Sequence, residues 1–245
     1  MKEFLVLGGS GNLGSAFKKN RFFKTKSYFP KKKELDILSI KKINLYIKKK
    51  NIKLIINCAA IARMRECEIN KLKAFNTNVI GVLNLIKCVK TINRNIKVVH
   101  ISSDAVYPSE NGNYNEKSKL QPYNFYGFTK ILSEKIISNL KNFIIVRTRF
   151  FNKKNIRFSS FATDSFSSSI EINRLVRNIK ILIDKNFNGI INIGEKRISD
   201  YDLHKKFKKK IKKCKHEDIQ KELIFKISKD ASMDCKLLKK VLNDK

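Results

Sequence analysis

Short apolar runs punctuate the chain at Glu3–Leu7, Ser27–Phe29, Leu54–Cys58, Val98–Ser102, Phe143–Arg147 and Gly189–Ile193. Between them, helical patterns cover Leu13–Lys19, Ile40–Lys50, Asn70–Ile92, Tyr126–Leu140, Ile172–Asp184 and Asp200–Lys213. Strands that are apolar throughout lose water on both faces, as in a parallel sheet covered by helices on each side. Right-handed crossovers between such strands give a doubly wound α/β fold. The longest strongly apolar stretch, Leu54–Ala62, is far too short to span a bilayer. The first apolar run meets glycines rather than a cleavage site, so it reads as a strand and not as a signal peptide.

The pattern loses its period over Phe150–Ser169, which is rich in Ser, Phe, Asn and Lys. That change divides the expected organisation in two. Residues 1–150 form the nucleotide-binding part. Residues 151–245 form a small, mixed, mostly helical substrate-binding part, with a strand near 189–193 returning to the sheet. No flexible linker separates them, so one compact body is expected.

The first strand runs directly into Gly8-Gly9-Ser10-Gly11-Asn12-Leu13-Gly14. Gly8, Gly11 and Gly14 have the G-x-x-G-x-x-G spacing. Glycines there allow a tight turn, close approach of backbone to a pyrophosphate, and close packing of the next helix on the strand. The free amides and dipole of a helix start favour the phosphates. This context predicts a Rossmann-type dinucleotide site. No acidic residue follows the second strand to take the ribose of NAD; Lys31, Lys32 and Lys33 do. A cation at Lys32 suits the extra phosphate of NADP, so NADP(H) is favoured over NAD(H). Asp36 is placed to hydrogen-bond the adenine.

Charge and cysteine content narrow the alternatives. The 245 residues carry 54 Lys+Arg against 21 Asp+Glu, a net charge of +33. The lysines are spread along the chain and accompany abundant Asn and Ile, the signature of A/T-rich coding. That distribution argues for solvated faces and against a specific nucleic-acid interface, although weak, salt-sensitive binding to polyanions is expected. The five cysteines, Cys58, Cys67, Cys88, Cys214 and Cys235, form no C-x-x-C pair. They read as reduced thiols of a cytoplasmic protein rather than as a disulfide framework or metal site. His100, His204 and His216 show no metal spacing and read as structural or exposed.

Tyr126 and Lys130 are four residues apart on an expected helix and therefore share one face. A phenol is a poor acid at neutral pH unless its anion is stabilised, and a neighbouring ammonium does that. Upstream, His100-Ile101-Ser102-Ser103-Asp104 places serines at the carboxyl end of a central strand, the ligand side of such sheets. The reading is Tyr126 as general acid, Lys130 lowering its pKa, and Ser103 orienting a substrate carbonyl.

With these motifs the chain resembles the extended short-chain dehydrogenase/reductases, and within them the sugar-nucleotide reductases of the dTDP-4-dehydrorhamnose reductase kind. The resemblance runs from Lys2 to Ile193 with a weaker echo at the C-terminus. Besides the residues above, it rests on Leu35-Asp36-Ile37, Ile56-Asn57-Cys58-Ala59-Ala60, Asn78, Gly81, Asn84-Leu85, Pro122, Gly189–Gly194 with Ser199, and Asp230–Asp234. It implies hydride transfer from NAD(P)H to the 4-keto group of a nucleotide-linked 6-deoxysugar. It also implies cofactor contacts from Gly8, Gly11, Asn12, Leu13, Gly14, Lys32, Asp36, Ile37, Asn57, Ala59, Ala60, Asn78, Ser102 and Lys130. A helix-mediated homodimer is common to the architecture. Related dehydratases carry two acids after the serine; here Asp104 is followed by Ala105. That argues against dehydration. A nucleotide-sugar epimerase or dehydrogenase shares the same apparatus, and a non-catalytic NADP-binding subunit is the further alternative. The chain is short for the family, with the deficit after Phe151.

Overall fold

A computed structural model describes residues 3–93, 95–156 and 158–243; Lys2, where the resemblance begins, lies outside them. In chain order the elements begin with β1 (Phe4–Leu7), α1 (Asn12–Lys19), α2 (Arg21–Lys26), β2 (Ser27–Tyr28), α3 (Ile40–Lys50) and β3 (Leu54–Asn57). Then come α4 (Met64–Ile69), α5 (Lys71–Phe75), a π-helical turn (Asn76–Ile80), α6 (Gly81–Ile92), β4 (Lys97–Ile101) and α7 (Phe125–Ile137). The remainder is β5 (Phe143–Thr148), β6 (Phe150–Phe151), β7 (Ser160–Ala162), β8 (Phe166–Ser167), β9 (Ile170–Glu171), α8 (Ile172–Asp184), β10 (Gly189–Ile193), β11 (Ile198–Ser199), α9 (Asp200–Lys205), β12 (Lys212–Cys214), α10 (His216–Lys221) and α11 (Lys236–Asn243).

Six strands form one parallel sheet in the order β10-β5-β4-β3-β1-β2. The order reverses direction beside β1, where β3 and β2 flank it on opposite sides. This is the doubly wound arrangement, and it opens a crevice at the carboxyl ends of β1 and β3. Alternate side chains of each strand enter opposite cores. Val6, Ile56 and Val99 pack with α1 and α8 residues such as Phe17 and Leu175. Leu5, Leu7, Ile55 and Val98 pack on the other face with Ile43, Val82 and Leu85 of α3 and α6.

Two helices differ from the sequence expectation. The stretch expected as one helix over Asn70–Ile92 is interrupted by the π-turn at Asn76–Ile80. There Asn78 turns inward: its side chain binds both Ile61 N and Ile61 O, and Thr129 Oγ1. Those bonds to non-local groups compete with a regular helical ladder. The helix expected over Asp200–Lys213 stops at Lys205. Continuing it would set Lys205 against Lys209 and Lys206 against Lys210, like charges at i,i+4. Instead Lys212–Cys214 pairs in parallel with β7. A further short helix, α2, follows α1 directly, and Asn20 caps it by accepting from Phe23 N.

Candidate active site

The turn after β1 delivers the chain to α1 with no side-chain cap at Gly11. The amides of the first helical turn are therefore left without a side-chain acceptor, as anion binding requires. A Cβ on Gly14 would sit 2.3 Å from the Gly8 carbonyl oxygen, so the helix is seated against the turn as closely as glycine allows. Above the turn runs a groove in two stretches, of about 780 Å³ and about 330 Å³. Both are bordered by Gly8, Ser10, Gly11, Cys58, Ala60 and Ile61, so they are continuous over the glycines. The residues fit an extended dinucleotide with its pyrophosphate over α1.

The larger stretch reaches Ser102, Ser103, Asp104, Tyr126 and Arg149. Ser103 caps the short 3-10 turn Asp104–Val106, its Oγ accepting from Ala105 N at 3.1 Å and donating to Asp104 Oδ1 at 3.0 Å. Asn124 caps α7 by accepting from Gly127 N at 2.8 Å. A Cβ at Gly127 would lie 2.2 Å from Ala105 O, so glycine is what lets α7 rest on the turn that carries Ser103. Tyr126 is thereby brought into the same stretch of groove as Ser103. Burial holds the Tyr126 phenol well above its ordinary pKa, with nearby Cys67 and Asp104 adding to it and Ser103 opposing it. The phenol therefore keeps its proton at neutral pH.

Among the described residues Lys130 makes no hydrogen bond to Tyr126. Its Nζ donates to Ile101 O at 2.7 Å and lies 3.1 Å from His100 Nε2. Burial lowers its pKa to about 8, while Glu134 and two cysteines counter that. His100 is buried and kept neutral, its pKa driven down by burial and by Lys130. A chain of donors from Asn57 Nδ2 to His100 Nδ1, from His100 Nε2 to Ser133 Oγ, and from Ser133 Oγ to Lys130 O satisfies all of these groups.

Most of the other residues assigned from sequence line the groove: Gly8, Gly11, Asn12, Leu13, Gly14, Ala60 and Ser102 in one stretch or the other, with Ala59, Lys32, Asp36 and Ile37 at the smaller end. Lys32 reaches Asp36 at 3.8 Å from an exposed position. Asn57 and Asn78 do not line it. Asn57 is buried behind the loop, accepting from Ala59 N. Asn78 holds Ile61, so both shape the wall rather than face a ligand. Ser102 is at the wall but its hydroxyl is committed to Glu134 Oε1 at 2.5 Å.

Sequence reasoning missed two arginines. Arg147, beneath Ser102, makes a fully buried ion pair with Glu134 of α7 at 2.7 Å. Arg149 borders the groove and pairs with Asp104 at 2.5 Å. The available signal was R-x-R at the end of an apolar strand, where charges in a buried setting demand partners. A cavity of about 860 Å³, bordered by Arg174, Arg197 and Leu238, lies apart in the C-terminal part and shares no residue with the groove.

A doubly wound sheet, a glycine turn at its switch point and a serine–tyrosine pair across the same groove define the class of extended short-chain dehydrogenase/reductases. The profile of the RmlD substrate binding domain matches residues 1–165, and the chain belongs to that family. It is 36% identical over 105 residues to UDP-glucose 4-epimerase of Mycoplasma genitalium, a match covering 40% of this chain and 31% of that protein. It is 29% identical over 155 residues to dTDP-4-dehydrorhamnose reductase of Aggregatibacter actinomycetemcomitans, covering 60% and 51%. The matched segments thus span 31% and 51% of these curated relatives. The solved dTDP-4-dehydrorhamnose reductase of Bacillus anthracis, in complex with NADP, superposes with a TM-score of 0.87 at 23% identity, covering 98% of this chain and 92% of that one. Among the described residues no helix is long and apolar enough to cross a membrane.

Proposed function

We propose that the chain is an NAD(P)H-dependent reductase of a nucleotide-linked 4-keto-6-deoxysugar. The observation that carries this reading is the Tyr126–Ser103 pair standing in one groove with the uncapped start of α1. A nicotinamide bound there supplies a hydride, and the protein supplies position and a proton. Tyr126 gives its O–H proton to the substrate oxygen as the carbonyl becomes an alkoxide. Ser103 fixes the position of that oxygen beside the phenol. Lys130 acts from behind, holding the end of β4 through Ile101 O and meeting the cofactor ribose when one is bound. Gly8, Gly11, Asn12, Leu13 and Gly14 take the pyrophosphate. Ala59, Ala60, Asp36 and Ile37 border the adenosine end, and Lys32 supports a preference for NADP(H) there. Asn57, Asn78 and Ser102 contribute by holding the groove's walls. Division into a nucleotide-binding part, 1–150, and a substrate-binding part, 151–245, belongs to the same reading, as does action in a reducing compartment such as the cytoplasm, supported by the free cysteines.

The test is oxidation of NADPH, followed optically, with a dTDP-4-keto-6-deoxysugar against a panel of other nucleotide sugars. Stoichiometric consumption supports the reductase; no consumption with any 4-keto sugar rejects it. The similarity to UDP-glucose 4-epimerases favours a second reading, epimerisation with the same residues. Inverted product with no net loss of cofactor would establish that one. Tight cofactor binding without turnover of any sugar would establish a binding subunit.

A further inference from the structure

We propose that Asp104, Arg149 and Ser228 form a charge-paired brace that fixes the single proton of Ser103, and that Arg149 is a positioning residue for the Ser103–Tyr126 pair. The proposal rests on the reading of Tyr126 as the acid.

A serine hydroxyl has one proton to give and two lone pairs to offer. Ser103 gives its proton to Asp104 Oδ1 and accepts from Ala105 N. What remains on Ser103 is an acceptor lone pair, offered to the groove that Tyr126 also lines, where the substrate oxygen must sit. This holds only while Asp104 is an ionised acceptor in a fixed position. A protonated Asp104 would give up its claim on the Ser103 proton, which could then turn to Tyr126 and set the phenol's own proton elsewhere.

Asp104 is 2% exposed, and a buried carboxylate without a cation is costly. Burial pushes its carboxyl above the usual range, and the Arg149 guanidinium is the main group opposing that. Arg149 Nε is 2.5 Å from Asp104 Oδ2, and its Nη2 donates to Ser228 Oγ at 2.8 Å. Ser228 belongs to a C-terminal loop that is tied again two residues earlier, where Asn124 Nδ2 donates to Lys226 O at 3.2 Å. Asn124 is the cap of α7, two residues before Tyr126. The same loop is thus anchored at the arm after β5 and at the helix that carries the acid. Arg149 joins the turn holding Ser103, the end of the sheet and the C-terminal part in one contact set.

The other ionisable groups facing Asp104 are Tyr123, Tyr126 and Asp200. Behind Asp200 stand His204 and His216. Arg149 is therefore the cation on which the charge of Asp104 depends.

The experiment uses the full chain and the variants Arg149→Leu, Arg149→Lys, Asp104→Asn and Asp104→Asn/Arg149→Leu. Two readouts are taken against pH: kcat and KM on the accepted nucleotide-linked keto sugar, and the thermal midpoint without ligand. Loss of Arg149 is expected to move the ionisation on the acid side of the kcat profile upward by about 1–3 pH units, the effect of removing a close opposite charge. Arg149→Lys should restore most of that displacement. The double variant should lack the ionisation, because the group that titrates is gone. A profile unchanged in Arg149→Leu, or a displacement that survives in the double variant, overturns the proposal. Should Arg149→Leu not fold, Asp104→Asn decides: an acid limb identical to that of the parent chain rejects the brace.

The thermal readout separates this from failure of the functional reading. A carboxyl raised by burial costs stability once ionised, so the parent chain loses stability relative to Asp104→Asn as pH rises through that ionisation. Arg149→Leu should carry this loss to higher pH. If it does not, the brace fails even for an active reductase; if it does while no sugar is turned over, only the functional reading fails.

Discussion

On the proposed reading Tyr126, as the general acid, bears the heaviest chemical demand of any single residue. General acids of this kind contribute about 10²–10⁴-fold to rate, so Tyr126→Phe is expected to lower kcat by that range. Cofactor affinity, read by fluorescence titration, should remain near that of the parent chain, because the proposed pyrophosphate contacts come from the glycine turn and not from the phenol. Comparable turnover in the variant would remove Tyr126 from its role. Lys130 gives a second residue-level expectation through its lowered pKa of about 8, caused first by burial. Between pH 8 and the model-compound range near 10.5, the unfolded chain holds a proton that the folded chain releases. Stability therefore rises with pH across that window and is penalised below it. At about 1.4 kcal/mol per pH unit, the penalty below pH 8 is about 3 kcal/mol. Lys130→Met should flatten the rise in a denaturant-midpoint series from pH 7.5 upward; an unchanged slope would show that another group titrates there.

Elements convert these side chains into a site, and here the legibility of the sequence is uneven. Strand cores are readable because β3 and β4 are mostly apolar and buried, a pattern imposed by cover on both faces. The glycine turn was readable because its spacing answers a local backbone need. The bends within Asn70–Ile92 and after Lys205 were not, since they depend on Asn78 reaching Ile61 and on β12 meeting β7, contacts remote in sequence. Likewise Tyr126 and Ser103 were legible as residue types, but the partners of Lys130 and the brace on Asp104 exist only once strands are stacked. Gly127 shows how an element's seating controls chemistry. A methyl group there would meet Ala105 O at 2.2 Å, backbone that cannot rotate away. Gly127→Ala is expected to lift α7 from the Ser103 turn, costing about 1–3 kcal/mol of stability and lowering kcat more than cofactor affinity. Equal loss of both would place the damage in general unfolding. The Glu134–Arg147 pair ties α7 to β5 from the other side, with both side chains 3% exposed. Removing one partner as Glu134→Gln strands a buried guanidinium and should cost about 3–5 kcal/mol, read as a fall in the denaturation midpoint.

At the scale of the whole molecule, the net charge of +33 acts on stability and on binding in opposite senses. Self-repulsion among lysines opposes the compact state, and a positive field draws in phosphate-bearing ligands. Most charges are exposed and solvated, as along Lys205–Lys213. They are therefore screened as the Debye length falls from about 30 Å at 0.01 M salt to about 8 Å at 0.15 M. Raising salt across that range should increase the melting temperature, because repulsion weakens while the apolar cores under the sheet are untouched. Over the same range the affinity for NADPH and for heparin should fall, heparin the more steeply because it engages scattered surface lysines through counterion release. The groove supplies the discrimination: replacing Lys32 by Ala should weaken NADPH more than NADH while leaving heparin retention nearly unchanged. A variant in which NADPH and NADH weaken equally would mean that Lys32 contributes only to the general field. A melting temperature that falls with salt would mean that ion pairs such as Arg174–Glu195 outweigh the repulsion. The two salt responses are measured on one protein stock, so a shared drift of the sample cannot produce opposite signs.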